Sequence, residues 1–212
     1  MKGLLLNNLY SIEKSTKTSM ILASVAVIIL VMTQHNIAIK AALFLPFLLV
    51  PVHAFEVLKY DALSGWNKFE ITLPVTRKQI VRSKYSTFLL LFMCSLMMIV
   101  FIFFAVDQFI YPVIDQVFFN FLFRGMGIIL CLAASTFMLT YKLGTEKSDS
   151  IMISSTGFTF GVFFGLSILL EFVLGTIQHI DEVFSVIFFI IASISLLVSY
   201  ILSIQIYIKK EF

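Results

Sequence analysis

Charge is what this 212-residue chain has least of. Asp, Glu, Lys and Arg make up 13% of it, about half the share found in soluble domains. Hydrophobic residues make up 60%, and the mean hydropathy is +1.03. Most of the mass belongs in a bilayer, which leaves no room for a separate soluble domain, catalytic or regulatory. Cysteine is scarce too: Cys94 and Cys131 lie in apolar runs with no metal or disulfide spacing around them, so free buried thiols are expected. The N-terminus has no small-x-small cleavage site after its first apolar run, and that run is expected to be retained.

Other absences narrow the chemistry. No GxxxxGK[ST] pattern occurs, so the chain cannot bind ATP through a P-loop. There is no HExxH for zinc and no His at a span centre for haem, and no nucleophile stands beside a plausible base. Asp, Glu, Lys and Arg are also missing from the centres of the apolar runs, where coupled carriers usually keep carboxylates. No catalytic residue, metal site or directly bound cofactor is expected, and no nucleic-acid partner. If the protein transports, another chain must supply the energy.

What is present is a single membrane domain over 1–212. Six runs are long and apolar enough to cross, at about 20 residues each: 18–36, 37–57, 86–106, 117–141, 150–175 and 183–208. Gln34, His35 and Asn36 alone separate the first two, which predicts a tight hairpin; Pro46 and Pro51 should kink or shorten the second. With both termini in the cytoplasm, all of the 15 Lys and Arg residues except Lys40 and Arg124 fall on the inner side. Those two lie near helix ends, where long side chains reach the interface. Before the first span, residues 1–17 place Leu5, Leu9 and Ile12 on one face and Asn8, Ser11 and Lys14 on the other, as suits an amphipathic helix in the inner interface. The fold class expected is therefore all-α: six transmembrane helices, an interfacial N-terminal helix, and a polar inner loop over 58–85 between spans two and three that runs into the start of span three.

Two local patterns stand out. Gly157, Gly161 and Gly165 form a stripe at four-residue spacing in the fifth span. Such a stripe lets another helix approach closely, either in a dimer seam or within the protomer. The loop FEVLKYDALSGWNKFEITLPVTRKQIVRSKY, residues 55–85, carries the only Trp. Asp61 could cap a short helix in which Trp66, Phe69 and Leu73 share a face, Gly65 is a mild defect and Pro74 ends it. Thr76 could cap a second helix whose Arg77, Lys78, Arg82 and Lys84 meet lipid headgroups or an acidic partner. An exposed Trp on such a helix suits docking to a soluble protein, and a Trp resting in the membrane interface suits the same residues equally.

The loop resembles that of permease subunits of the ABC-2 type of ATP-driven transporters, in the small Gram-positive kind. Glu56, Asp61, Gly65–Trp66, Leu73–Arg77, Ile80–Val81 and Lys84–Tyr85 carry the likeness, together with the six-span layout. Within that family the chain is similar to permeases that export phenol-soluble modulins, which are short amphipathic toxins, and bacteriocin-type permeases are similar in size and motif. The resemblance implies a coupling helix that docks on a separate ATPase. Trp66 and Phe69 would be its anchors, with Gly65 and Leu73 beside them and Asp61, Lys68 and Glu70 the polar rim. ATP and Mg would be held by that ATPase, and a second permease copy or a sister permease would complete the path in the cell membrane for an amphipathic peptide. A non-transporting sensor or immunity protein that binds a peptide or a partner would explain the polar loop equally well.

Overall fold

The computed structural model describes residues 2–70, 72–175 and 180–209. Every regular element among them is helical, and six helical stretches are long and apolar enough to cross a membrane. The first, α1 (Lys2–Met32), runs through residue 18 without a break, so the N-terminal segment and the first span are one helix. Its 31 residues reach about 46 Å, well beyond a hydrocarbon core of about 30 Å. Leu4, Asn8, Ile12 and Thr16 form its buried stripe. Asn8 therefore points into the protein and not away from it as the amphipathic pattern predicts, because a buried charge on another helix claims its amide.

The hairpin between the first two spans is as tight as expected. Gln34 adopts φ +55°, and the His35 ring accepts from the Ile37 amide to cap α2 (Asn36–Leu49). Pro46 sits inside α2 without breaking it. The interruption comes at Pro51, which has no N–H to offer the preceding turn, and the chain resumes as α3 (His53–Leu63). Together α2 and α3 make the second crossing. Gly65, at φ +72°, turns the chain into the short α4 (Trp66–Glu70). A left-handed backbone is where glycine costs least, so this residue is a hinge in the chain path and not a defect within one helix.

The third span, α5 (Arg77–Phe109), starts where the sequence predicts. Thr76 Oγ1 accepts from the Gln79 amide at 3.3 Å while Gln79 Oε1 accepts from the Thr76 amide at 3.1 Å. Asp115 caps α6 (Gln116–Leu143) by accepting from the Phe118 amide at 2.8 Å. A single 3₁₀ turn leads into α7 (Ser148–Leu174), and α8 (Ile180–Lys209) closes the described chain. The tail Lys210 and the loop His179 lie outside the described residues.

The core gathers around α6. Phe137 stacks on Tyr85 of α5 with ring centroids 4.4 Å apart and meets Phe55 of α3 edge-on at 5.3 Å. Two glycines of α6 admit rings from its neighbours. A Cβ on Gly125 would stand 3.0 Å from Phe47 of α2, and one on Gly127 would stand 2.6 Å from Phe188 of α8. Arg124 does not reach for the interface as a lone cation. Its guanidinium donates to Ser185 Oγ at 2.9 Å and Asp181 Oδ1 at 2.7 Å, and lies over the rings of Phe121 and Phe184, joining α6 to α8. Cys131 is buried as expected, whereas Cys94 lies on the outer surface of α5; both are free thiols.

Candidate functional site

The polar loop lies at the end of the bundle that also holds the start of α1, the α6–α7 turn and the end of α8. Lys59 of α3 pairs with Asp149 of α7 at 3.0 Å in the open, and the Arg77 guanidinium donates to the Tyr207 and Ile208 carbonyls at the end of α8. Beneath these surface contacts sits a buried polar cluster. Lys84, from the second turn of α5, is 2% exposed. Its ammonium is hydrogen-bonded and ion-paired to Asp61 Oδ2 of α3 and donates to Asn8 Oδ1 of α1 at 2.8 Å. The Asn8 amide group in turn donates to Ser83 Oγ and Thr87 Oγ1 at 3.3 and 3.4 Å. Three helices far apart in sequence are thereby joined at one buried charge pair.

Asp61 is therefore not a helix cap. It lies within α3, where the predicted helix start would have placed a solvent-facing residue. Glu70, at the end of α4, is also buried, and both its carboxyl oxygens lack a hydrogen-bond partner among the described residues. Burial pushes the Glu70 carboxyl above its ordinary value; Lys84 opposes the rise and Asp61 adds to it. Asp61 and Glu70 thus turn inward and do not form the exposed rim expected around Trp66. The desolvation of two acids is tolerable only because an ammonium lies between the same helices. The side chain of Lys68, the third residue of that rim, lies outside the described residues.

The apolar half of the expectation has the opposite geometry. Phe69 is 53% exposed, and its ring lies 5.3 Å from that of the half-buried Trp66. Leu73 is half-buried beyond the end of α4, and Gly65 is exposed. Next to Trp66, a cleft of about 500 Å³ runs between α1 and α3, lined by Asn7, Ser11, Tyr60, Asp61 and Ser64. The loop has two sides: charges that hold it to the bundle, and Phe69, which faces out beside the half-buried Trp66.

Sequence reasoning missed Lys84 and Asn8 as members of this site. Lys84 was grouped with the headgroup-facing cations, because four basic residues in eight positions read as one surface. The available signal was partial and rotational: on an α-helix Lys84 lies about 120° from Lys78 and about 160° from Arg82, and within about 60° of Ile80 and Val81, but only about 20° from Arg77. Ile80 and Val81 are both buried.

The glycine stripe is resolved differently. A Cβ added at Gly157, Gly161 or Gly165 would meet nothing within 4 Å, so among the described residues the stripe packs against no other helix. Between α6, α7 and α8 lies an apolar cleft of about 670 Å³, lined by Cys131, Ala134, Met138, Phe158, Ile194 and Val198. Among the described residues no three His, Cys, Asp or Glu side chains are grouped to hold a metal ion.

A family model described as ABC-2 family transporter protein matches residues 3–208. No curated protein and no solved structure matches the chain.

Proposed function

The chain belongs to the ABC-2 family of transporter proteins, and we propose that it forms the translocation path of an exporter for short amphipathic peptides. Membership and the six apolar helices make it a multi-pass membrane permease that works with an ABC-type ATPase. In this reading both termini face the cytoplasm, α4 is the coupling helix, and Trp66 and Phe69 are the side chains the ATPase grips. ATP and Mg are handled entirely by that partner. The observation that carries the reading is the aromatic pair on a five-residue helix that follows directly on α3, which is itself joined to α1 and α5 through Asp61, Lys84 and Asn8. In this reading a push on α4 passes through α3 to α1 and α5.

Residues 1–17 would lie at the inner interface before α1 enters the hydrocarbon. The open glycine stripe of α7 supports a second permease copy, or a sister permease, as its neighbour, since close approach is what such a stripe permits. The apolar cleft beside α7 suits an apolar or amphipathic cargo, and the resemblance to phenol-soluble modulin exporters suggests peptides of that kind. Reconstitution in lipid with the ATPase tests this reading. Amphipathic peptides should raise ATP hydrolysis. A rate unmoved by any amphipathic peptide or lipid would replace export by a sensor or immunity role.

A further inference from the structure

The buried end of the loop holds more acid than base. Asp61 and Glu70 are 4% and 1% exposed, and Lys84 is the cation whose field reaches both carboxyl groups. Lys84 is committed to Asp61 and Asn8. Glu70 has no hydrogen-bond donor among the described residues and no contact with water at either oxygen. Tyr141 from α6 and Tyr207 from α8 face it as neutral phenols, and the Arg77 guanidinium is turned to the Tyr207 and Ile208 carbonyls at the end of α8 and acts on Tyr207. From α1 the facing group is the neutral Asn8 amide, already on Lys84. An ionised Glu70 would thus leave one uncompensated negative charge in a dry site with no donor, an arrangement proteins avoid by keeping the carboxyl protonated.

We propose that Asp61, Glu70 and Lys84 form a one-proton site that latches α4 to the bundle. With the proton on Glu70 the trio is neutral and α4 stays seated. When the proton leaves to water, the carboxylate follows it into solvent and swings Trp66 and Phe69 outward. The direction of the pH dependence follows from Glu70 being an acid whose pKa is raised in the seated state, first by burial. The seated state is favoured most strongly below the ordinary value of 4.5 and loses that advantage as pH rises through the higher pKa of the buried group. The latch is a property of this chain alone and stands whether or not α4 docks an ATPase.

Trp66 is the only Trp in the chain, so its emission reports the seat of α4 directly. The full chain in nanodiscs of neutral lipid, with no ATPase present, should be followed from about pH 4, below the ordinary glutamate value, to about pH 9, below the range in which tyrosines titrate. Expected is one transition, on the alkaline side of which Trp66 emission is red-shifted and more readily quenched by acrylamide. Glu70→Gln is neutral at every pH and should keep the low-pH emission throughout. Asp61→Asn leaves Lys84 facing Glu70 as a pair that is neutral without the extra proton, so its transition should disappear as well. A flat wild-type trace, or a Glu70→Gln or Asp61→Asn protein that titrates like the wild type, overturns the proposal.

Discussion

The loop end of the bundle and helix α7 invert what their compositions suggest. The loop is the most polar stretch of the chain, yet it is fastened inside the protein by Lys84, Asp61 and Asn8. Helix α7 is apolar along most of its length, yet only 6% of its most apolar stretch is buried, against 61% for α6. Hydropathy tells which residues avoid water; it does not tell which of them touch protein. In a membrane an apolar surface can be left to lipid at little cost, so attachment is decided by close packing and by buried polar pairs. The two sets of glycines make the same point. Gly125 and Gly127 of α6 are pressed by phenylalanine rings, while Gly157, Gly161 and Gly165 of α7 stand open.

The comparison is broken most severely at the charge pair. Lys84→Met removes the ammonium and leaves two buried acids, so it should destabilise the chain by about 3–5 kcal/mol in a denaturant titration in bicelles. Adding Asp61→Asn to it should restore most of the loss, because the remaining groups can then be neutral. A Lys84→Met protein as stable as the wild type would mean that the loop is not held by this pair. Next in size is Gly127→Ala, whose new methyl group meets the Phe188 ring. An overpacking cost of about 1–3 kcal/mol is expected in the same titration. Smallest is Gly161→Ala, which should change protomer stability by no more than about 0.5 kcal/mol, since the added carbon enters open space. The same variant sharpens the contrast in a second measurement. If a permease copy packs on the stripe, cross-linking between copies through α7 should fall in Gly161→Ala while stability holds.

Much of this architecture was legible in advance. Span count and order follow from hydropathy alone, and the Thr76–Gln79 box that starts α5 follows from residue types at fixed spacing. The family was legible in the loop, from Gly65–Trp66 and Leu73–Arg77. What could not be read was partnership. Residue type does not distinguish Lys84 from Lys78 or Arg82; its position on the Ile80–Val81 side of the helix is only a partial signal, and its burial is completed by α1 and α3 arriving at the same place. Asn8 fits a solvent-facing pattern until an ammonium is found opposite it. Gly65 looked like a flaw because its φ of +72° is invisible in the sequence. The glycine stripe had the right spacing for packing, and only the fold reveals that no described helix of the protomer packs on it.

In the proposed function the loop is fixed from within by charge and docks its ATPase through its aromatic pair. Phe69→Ala tests it most directly, because that side chain is half exposed and its loss should barely change the stability of the chain. Binding of the detergent-solubilised permease to its ATPase should weaken by about 2 kcal/mol or more, roughly 30-fold in Kd, as for an aromatic anchor. Unchanged affinity, with the variant inserted and as stable as the wild type, would contradict the assignment of α4 as the docking element.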